Sequence, residues 1–197
     1  MWDERYARPG FLFGTEPAAF LVDQKKYLGR GDRALVVADG EGRNSVFIAE
    51  QGLIVTAQDA SEVALEKARG LAMAREARVD FRHGDLRQWE WEADRYDLVA
   101  AIFIQFAEPA FRAEIFAGLK NTLKPGGVLM LHGYRPEQLD YGTGGPPDAD
   151  NMYTAALLEA AFGDMETLRL RAYDREIQEG AGHAGMSALI DLIARKR

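Results

Sequence analysis

The chain has 197 residues, 47% of them hydrophobic, which is enough for one well-cored domain without metal or disulfide staples. Its net charge of −7 opposes neutralisation of a phosphate backbone, so nucleic acid is excluded as an expected partner. The absence of cysteine excludes disulfides, thiolate nucleophiles, zinc fingers and iron–sulfur ligation.

The first residues, MWDERYARPG, carry charge where a signal peptide needs an apolar core, and no run approaches the ~20 apolar residues of a membrane span. A soluble, cytoplasmic protein is expected, with no membrane partner. Trp2 and Tyr6 share a helical face, and Phe11 and Phe13 follow. This aromatic arm is either packed on the core or a lid over a ligand. Thr15 is expected to cap a helix with Glu16 and Pro17 in its first turn, Phe20, Leu21, Tyr27 and Leu28 inward, and Gly29 and Gly31 at its end.

The stretch from Ala34 to Ala60 organises the rest. Ala34 to Ala38 reads as a buried parallel strand, and Asp39-Gly40-Glu41-Gly42 as a tight turn. A helix capped by Asn44 or Ser45 follows, then a strand from Leu53 to Ala57 with Asp59 just past it. Asp59 lies 19 positions after Gly40, the spacing at which an acid meets ribose hydroxyls in a βαβ nucleotide half.

Ser61 caps a long amphipathic helix whose outer charges, Glu62, Lys67 and Arg69, read as a wet face. Val79 to Arg82 is a third strand, followed by His83-Gly84-Asp85-Leu86. Arg95 to Ile104 is a buried strand ending at Gln105-Phe106. A helix spans Pro109 to Leu123, Lys124-Pro125-Gly126-Gly127 turns the chain, and Val128 to His132 is the next strand. The alternation predicts a parallel, doubly covered sheet. Residues 133 to 150 read as a long polar loop, functional or mobile, and residues 151 to 162 as a helix. Glu166 to Gln178 and Met186 to Ala194 are expected as an antiparallel hairpin joined by EGAGHAG. The fold class is thus α/β, a Rossmann-like doubly wound, mostly parallel seven-stranded sheet with a C-terminal antiparallel hairpin, in one domain over residues 1 to 197.

Several chemistries lack their residues. There is no Gly-Lys-Ser/Thr phosphate loop, no Tyr-x-x-x-Lys pair of a short-chain dehydrogenase, and no Gly-x-Ser-x-Gly elbow. The three histidines, His83, His132 and His183, stand on separate elements, so no metal site is expected.

Nearly the whole chain resembles the class I S-adenosylmethionine-dependent methyltransferases, within them the tellurite-resistance (TehB-like) and thiopurine-methyltransferase-like group. The resemblance is carried by Trp2-Asp3-Glu4-Arg5-Tyr6, Phe13-Gly14-Thr15-Glu16-Pro17, Asp39-Gly40-Glu41-Gly42-Arg43-Asn44-Ser45 and Val55-Thr56-Ala57-Gln58-Asp59. Leu123-Lys124-Pro125-Gly126-Gly127 and Glu179-Gly180-Ala181-Gly182-His183 complete it. It implies S-adenosyl-L-methionine as cofactor and S-adenosyl-L-homocysteine as product. The turn Ala38 to Gly42, with Asn44, would pass under the methionine part. Asp59 and Ala60 would hold the ribose, Asp85 and Leu86 would read the adenine, and Phe103 to Phe106, with Phe103 and Gln105, would lie beside the reactive methyl. Val36 and Ala38 stand where this motif usually has an acid and a glycine.

Asp39 and Glu41 would be out of place against a pyrophosphate, yet are tolerable near the ammonium of a cofactor that carries a sulfonium and an α-amino acid and no phosphate. The acceptor side draws on Trp2, Tyr6, Phe13, His132, Tyr134, Arg135 and His183. His132 reads as an acceptor contact or a hydrogen-bonded core residue, His183 as an acceptor contact or part of a glycine-rich turn, and Tyr134 and Arg135 as pocket lining or loop edge. The expected function is methyl transfer to a small molecule, by resemblance a chalcogen or metalloid oxyanion or a thiol-type compound. Two other classes stay open, a non-catalytic nucleotide-sensing module and a dinucleotide-dependent oxidoreductase. A monomer or a homodimer is expected.

Overall fold

A computed structural model describes residues 2–197. In chain order its elements are α1 (Trp2–Tyr6), α2 (Ala19–Asp23), β1 (Arg33–Val37), α3 (Arg43–Glu50), β2 (Ile54–Asp59), α4 (Glu62–Ala74), β3 (Val79–His83), β4 (Tyr96–Ile102) and α5 (Pro109–Thr122). They continue with β5 (Leu123–Tyr134), α6 (Gln138–Tyr141), α7 (Ala155–Phe162), β6 (Glu166–Glu179) and β7 (His183–Arg195). The seven strands form one sheet in the order β3-β2-β1-β4-β5-β7-β6. β1 to β5 pair in parallel, whereas β7 runs antiparallel to both β5 and β6. The expected fold class is the one found.

Alternation along the central strands splits the core in two. Leu35, Val37, Val99, Ala101, Leu129 and Leu131 meet α5 and α7 on one face. Ala34, Val36, Leu98, Ala100, Ile102 and Met130 meet α2 and α3 on the other. Val36 is therefore core on the α3 side, 1% exposed. The order reverses between β1 and β4, which makes the carboxyl ends of these strands the switch point, where open α/β sheets take ligands.

Several boundaries differ from the sequence reading. Thr15 does not cap a helix: α2 begins only at Ala19, with Ala18 in the cap position, past Pro17. The helix expected through Leu28 stops at Asp23 and gives way to a 3₁₀ turn, Lys25–Tyr27. Neither Asn44 nor Ser45 caps α3. Gly42 holds that place at φ 90°, and Asp39 accepts the backbone N–H of Ser45 instead. Ser61 does cap α4, accepting from the N–H of Ala64 at 3.1 Å.

β2 extends to Asp59, which is the last residue of the strand rather than one beyond it. β4 ends at Ile102 because Phe103 takes a left-handed φ of 56°. β5 is longer than expected, starting at Leu123 and running to Tyr134, since β7 pairs along its far end. The 133 to 150 segment is not a plain loop but holds α6 and leads into a 3₁₀ turn, Ala149–Asn151. The following helix starts only at Ala155, capped by Thr154. The hairpin is tight, with Glu179 paired to His183 across three residues.

Candidate functional site

The turn after β1 is built on two unusual conformations. Ala38 adopts φ 48°, which costs a side-chain-bearing residue about 1–2 kcal/mol. Gly42 allows α3 to approach α4: a Cβ there would lie 2.7 Å from that of Ala68. Between them Asp39 is buried, its Oδ2 accepting the Ser45 hydroxyl at 2.5 Å and its Oδ1 the Ser45 N–H at 3.2 Å. Burial pushes this carboxyl up to about 7 against the pull of Ser45, and nearby Asp59 adds to the rise.

Asp59 is also buried, and its carboxylate ties two loops together. Oδ2 accepts the N–H of Gly40 at 2.8 Å and Oδ1 that of Ser61 at 2.8 Å. Burial raises its pKa, opposed by these backbone hydrogen bonds. Two buried carboxylates thus face the carboxyl ends of β1 and β2, and neither forms an ion pair among the described residues.

The N-terminal arm lies directly over this turn. Tyr6 is buried, and a Cβ on Gly40 would meet its hydroxyl at 2.8 Å. Burial, then Asp59 and Glu41, push its phenol well above the usual range. Trp2 stacks on Tyr6 with ring centroids 5.7 Å apart. Asp3 accepts the Ser61 hydroxyl at 2.5 Å, and Glu41 accepts the N–H of Leu12 at 2.7 Å. Lys67 is not on a wet face: it bonds Glu41 at 2.9 Å and the carbonyls of Arg8 and Gly10 at 2.9 and 2.7 Å. The arm is therefore packed on the Gly40 turn and on α4.

Further along, Asn44 accepts the N–H of Ala18 at 2.9 Å. The buried pair Arg43–Glu179, 2.8 Å apart, joins the start of α3 to the end of β6, and Glu179 also accepts the N–H of Ala19 at 3.1 Å. Sequence reasoning missed Asp3, Arg43, Lys67 and Glu179 as organisers of the site. Asp3, Arg43 and Glu179 each stand inside a motif that carries the resemblance, whereas Lys67 has no local signal.

A run of rings crosses the cleft. Phe13 stacks on His183 at 4.5 Å and His183 on Phe103 at 4.4 Å. Phe103 meets His132 edge-on at 4.8 Å, and His132 stacks on Phe20 at 4.9 Å. The left-handed Phe103 sets its ring between the two histidines, and such strained residues gather at functional sites. His183 heads β7 instead of lying in the turn, and its Nδ1 is 2.5 Å from the Tyr134 hydroxyl. Burial, with Arg43, His132 and Arg5 nearby, pushes it down to about 3, so it is neutral. His132 Nδ1 lies 2.8 Å from Asp191 Oδ1.

The remaining residues are placed less centrally. Gln105 is spent on β5, exchanging hydrogen bonds with the N–H and C=O of Tyr134 at 2.6 and 2.8 Å. Arg135 is ion-paired with Asp174, and with Glu137 at 3.4 Å, rather than open to the cleft. Asp85 is exposed at the end of β3 and accepts the N–H of Arg87, while Leu86 beside it is buried in the core. Ala60 is exposed, its carbonyl 3.0 Å from His83 Nε2. A surface groove of about 720 Å³ lies at the opposite, amino ends of β2 and β3, between residues such as Ile54, Met73 and Phe81.

The strand order, with its antiparallel C-terminal hairpin, is the Rossmann-like fold shared with solved structures, among them a SAM-dependent methyltransferase from Methanosarcina mazei with a TM-score of 0.74 at 17% identity over 92% of this chain and 98% of that one. Residues 34–127 match the family model described as a methyltransferase domain. The chain is 34% identical over 103 residues to demethylmenaquinone methyltransferase of Clavibacter sepedonicus, covering 51% of this chain and 40% of that protein. It is 35% identical over 73 residues to carboxy-S-adenosyl-L-methionine synthase of Wolinella succinogenes, covering 37% and 30% respectively. The match thus spans less than half the length of either curated relative. TehB from Haemophilus influenzae shares the fold, with a TM-score of 0.74 at 17% identity over 100% of this chain and 66% of that one.

Proposed function

We propose that the protein transfers a methyl group from S-adenosylmethionine to a small-molecule acceptor. The observation that carries this is the pair of buried carboxylates, Asp39 and Asp59, around the Gly40 turn in a region that matches a methyltransferase domain. Carboxylates without ion-pair partners favour a sulfonium and an ammonium and oppose a pyrophosphate. In this reading Asp59 and Ala60 hold the ribose, Ala38, Gly40 and Gly42 supply backbone contacts to the methionine part, and Leu86 with Asp85 receives the adenine. Asn44 and Gln105 act indirectly, through Ala18 and Tyr134. The cofactor arrives already activated, so the protein's task is to align acceptor, methyl and sulfur.

The ring-lined cleft of Phe13, Phe103, His132, Tyr134 and His183 is the acceptor side. Arg43 and Arg135 are both ion-paired and His183 is neutral, which favours a thiol-type acceptor over a chalcogen or metalloid oxyanion. The TehB-like reading then concerns ancestry and cofactor handling, not tellurite as the acceptor. An acceptor screen with methyl-labelled cofactor tests the proposal, and label appearing in a small-molecule product is the expected result. No transfer to any acceptor by protein that binds the cofactor would favour a non-catalytic sensing module.

A further inference from the structure

The His132–Asp191 pair lies at the carboxyl end of β5, one strand from the switch point. The two residues are cross-strand partners in the β5–β7 ladder, so backbone register holds them opposite each other. Asp191 Oδ1 lies 2.8 Å from His132 Nδ1 and accepts the Tyr173 hydroxyl at 3.0 Å, while Oδ2 accepts the Arg169 guanidinium at 2.9 Å. Burial alone would raise the Asp191 carboxyl, but the hydrogen bond from His132, the charge of that ring when protonated, and hydrogen bonds from Arg169 and Tyr173 hold it below the usual range. An ionised Asp191 requires a proton on Nδ1, which leaves the lone pair of a neutral imidazole on Nε2. That Nε2 has no hydrogen-bond partner among the described residues, and the residue as a whole is 2% exposed. Phe20 and Phe103 fix the ring from two sides. The titratable and charged groups around it are Asp191 and His183 on β7, with Arg169 and Tyr173 of β6 behind the carboxylate.

We infer that His132 is the general base that deprotonates the acceptor, with Asp191 as its positioning residue, and that the acceptor is a protonated nucleophile, a thiol or hydroxyl compound. This rests on the methyltransferase reading above. The acceptor's X–H bond breaks and its proton goes to Nε2 of His132. The freed electron pair forms the new X–CH₃ bond as the methyl–sulfur bond breaks, its electrons remaining on sulfur as a neutral thioether. The imidazolium then returns its proton to solvent.

The test uses the full chain, labelled S-adenosylmethionine, two protonated probes (benzyl mercaptan and phenol) and one anionic probe, sodium tellurite. Calorimetry with S-adenosylhomocysteine separates the two readings: failure of the wild-type protein to bind it overturns the function itself. In protein that binds, a protonated probe should be methylated. His132→Gln should lower that rate about 100-fold or more near neutral pH with unchanged S-adenosylhomocysteine affinity. The loss should shrink at a pH where the probe ionises in solution. Asp191→Asn, which keeps the shape, should lower kcat and shift the acid limb of the pH profile. Nitrogen NMR of the wild-type imidazoles needs no acceptor and should show His132 protonated at Nδ1. A folded His132→Gln with wild-type rate and profile, a His132 protonated at Nε2 instead, or methylation of tellurite with neither protonated probe used would overturn the assignment. So would a failure to methylate any of the three probes.

Discussion

Gly40 donates its backbone N–H to Asp59 at 2.8 Å, locking the turn after β1 to the last residue of β2. The acid expected to hold a ribose therefore also shapes the turn beside it. Asp59→Ala should weaken S-adenosylhomocysteine binding by about 1–3 kcal/mol through lost charge-assisted hydrogen bonds. Calorimetry on the folded variant checks this, and an unchanged affinity would refute the ribose assignment.

Asp39 imposes a pH dependence whose sign follows from its burial. Its carboxyl is raised from 3.8 to about 7, so the folded state binds its proton more tightly than the unfolded chain does. The stability it adds is fully present below 3.8 and is lost as pH rises through about 7. Asp39→Asn keeps a polar partner for Ser45 without the charge. Denaturant titrations should show it more stable than the parent by about 2–4 kcal/mol at pH 8, with little difference at pH 4. The same variant should bind S-adenosylmethionine more weakly, since it removes a negative charge from the cleft. Equal stability of both proteins at pH 8 would contradict the burial argument.

Arg43 and Glu179 are each 7% exposed at the side chain and pair at 2.8 Å. Removing one partner strands a buried charge. Arg43→Met or Glu179→Leu alone should each cost about 3–5 kcal/mol, and the double variant much less than their sum. Strict additivity in chemical denaturation would show that the pair is not coupled.

Lys67 anchors the arm through Glu41 and two arm carbonyls. Lys67→Met should accelerate trypsin cleavage after Arg5 while leaving the melting temperature of the sheet nearly unchanged, because Lys67 is partly exposed and lies outside the core. Unchanged cleavage would mean that α1 is held by Tyr6 and Asp3 alone.

What could be read from the sequence was local. Apolar runs and glycine punctuation marked β1, the Gly40 turn and β2, and Ser61 announced α4, because each depends on neighbours within a turn or two. The strand pairing followed from alternation of elements and the crossover rule. The misreadings share a different cause. Lys67 looked like a solvated helix charge because its partners, Arg8 and Gly10, come from a distant segment. His183 looked like a turn residue because nothing local shows that Glu179 pairs with it to open β7. The span of β5 depends on β7, and Asp191, the partner of His132, carried no signal on its own strand. Ala38 in a left-handed conformation shows why the glycine usual at that place is dispensable: the backbone adopts the geometry regardless, at a modest cost.

The most direct test of the central claim is calorimetric titration of the wild-type chain with S-adenosylmethionine, S-adenosylhomocysteine and NAD(P). The buried carboxylates predict saturable binding of the first two and none of the dinucleotides. Preferential binding of NAD(P), or no binding of S-adenosylhomocysteine, would contradict it.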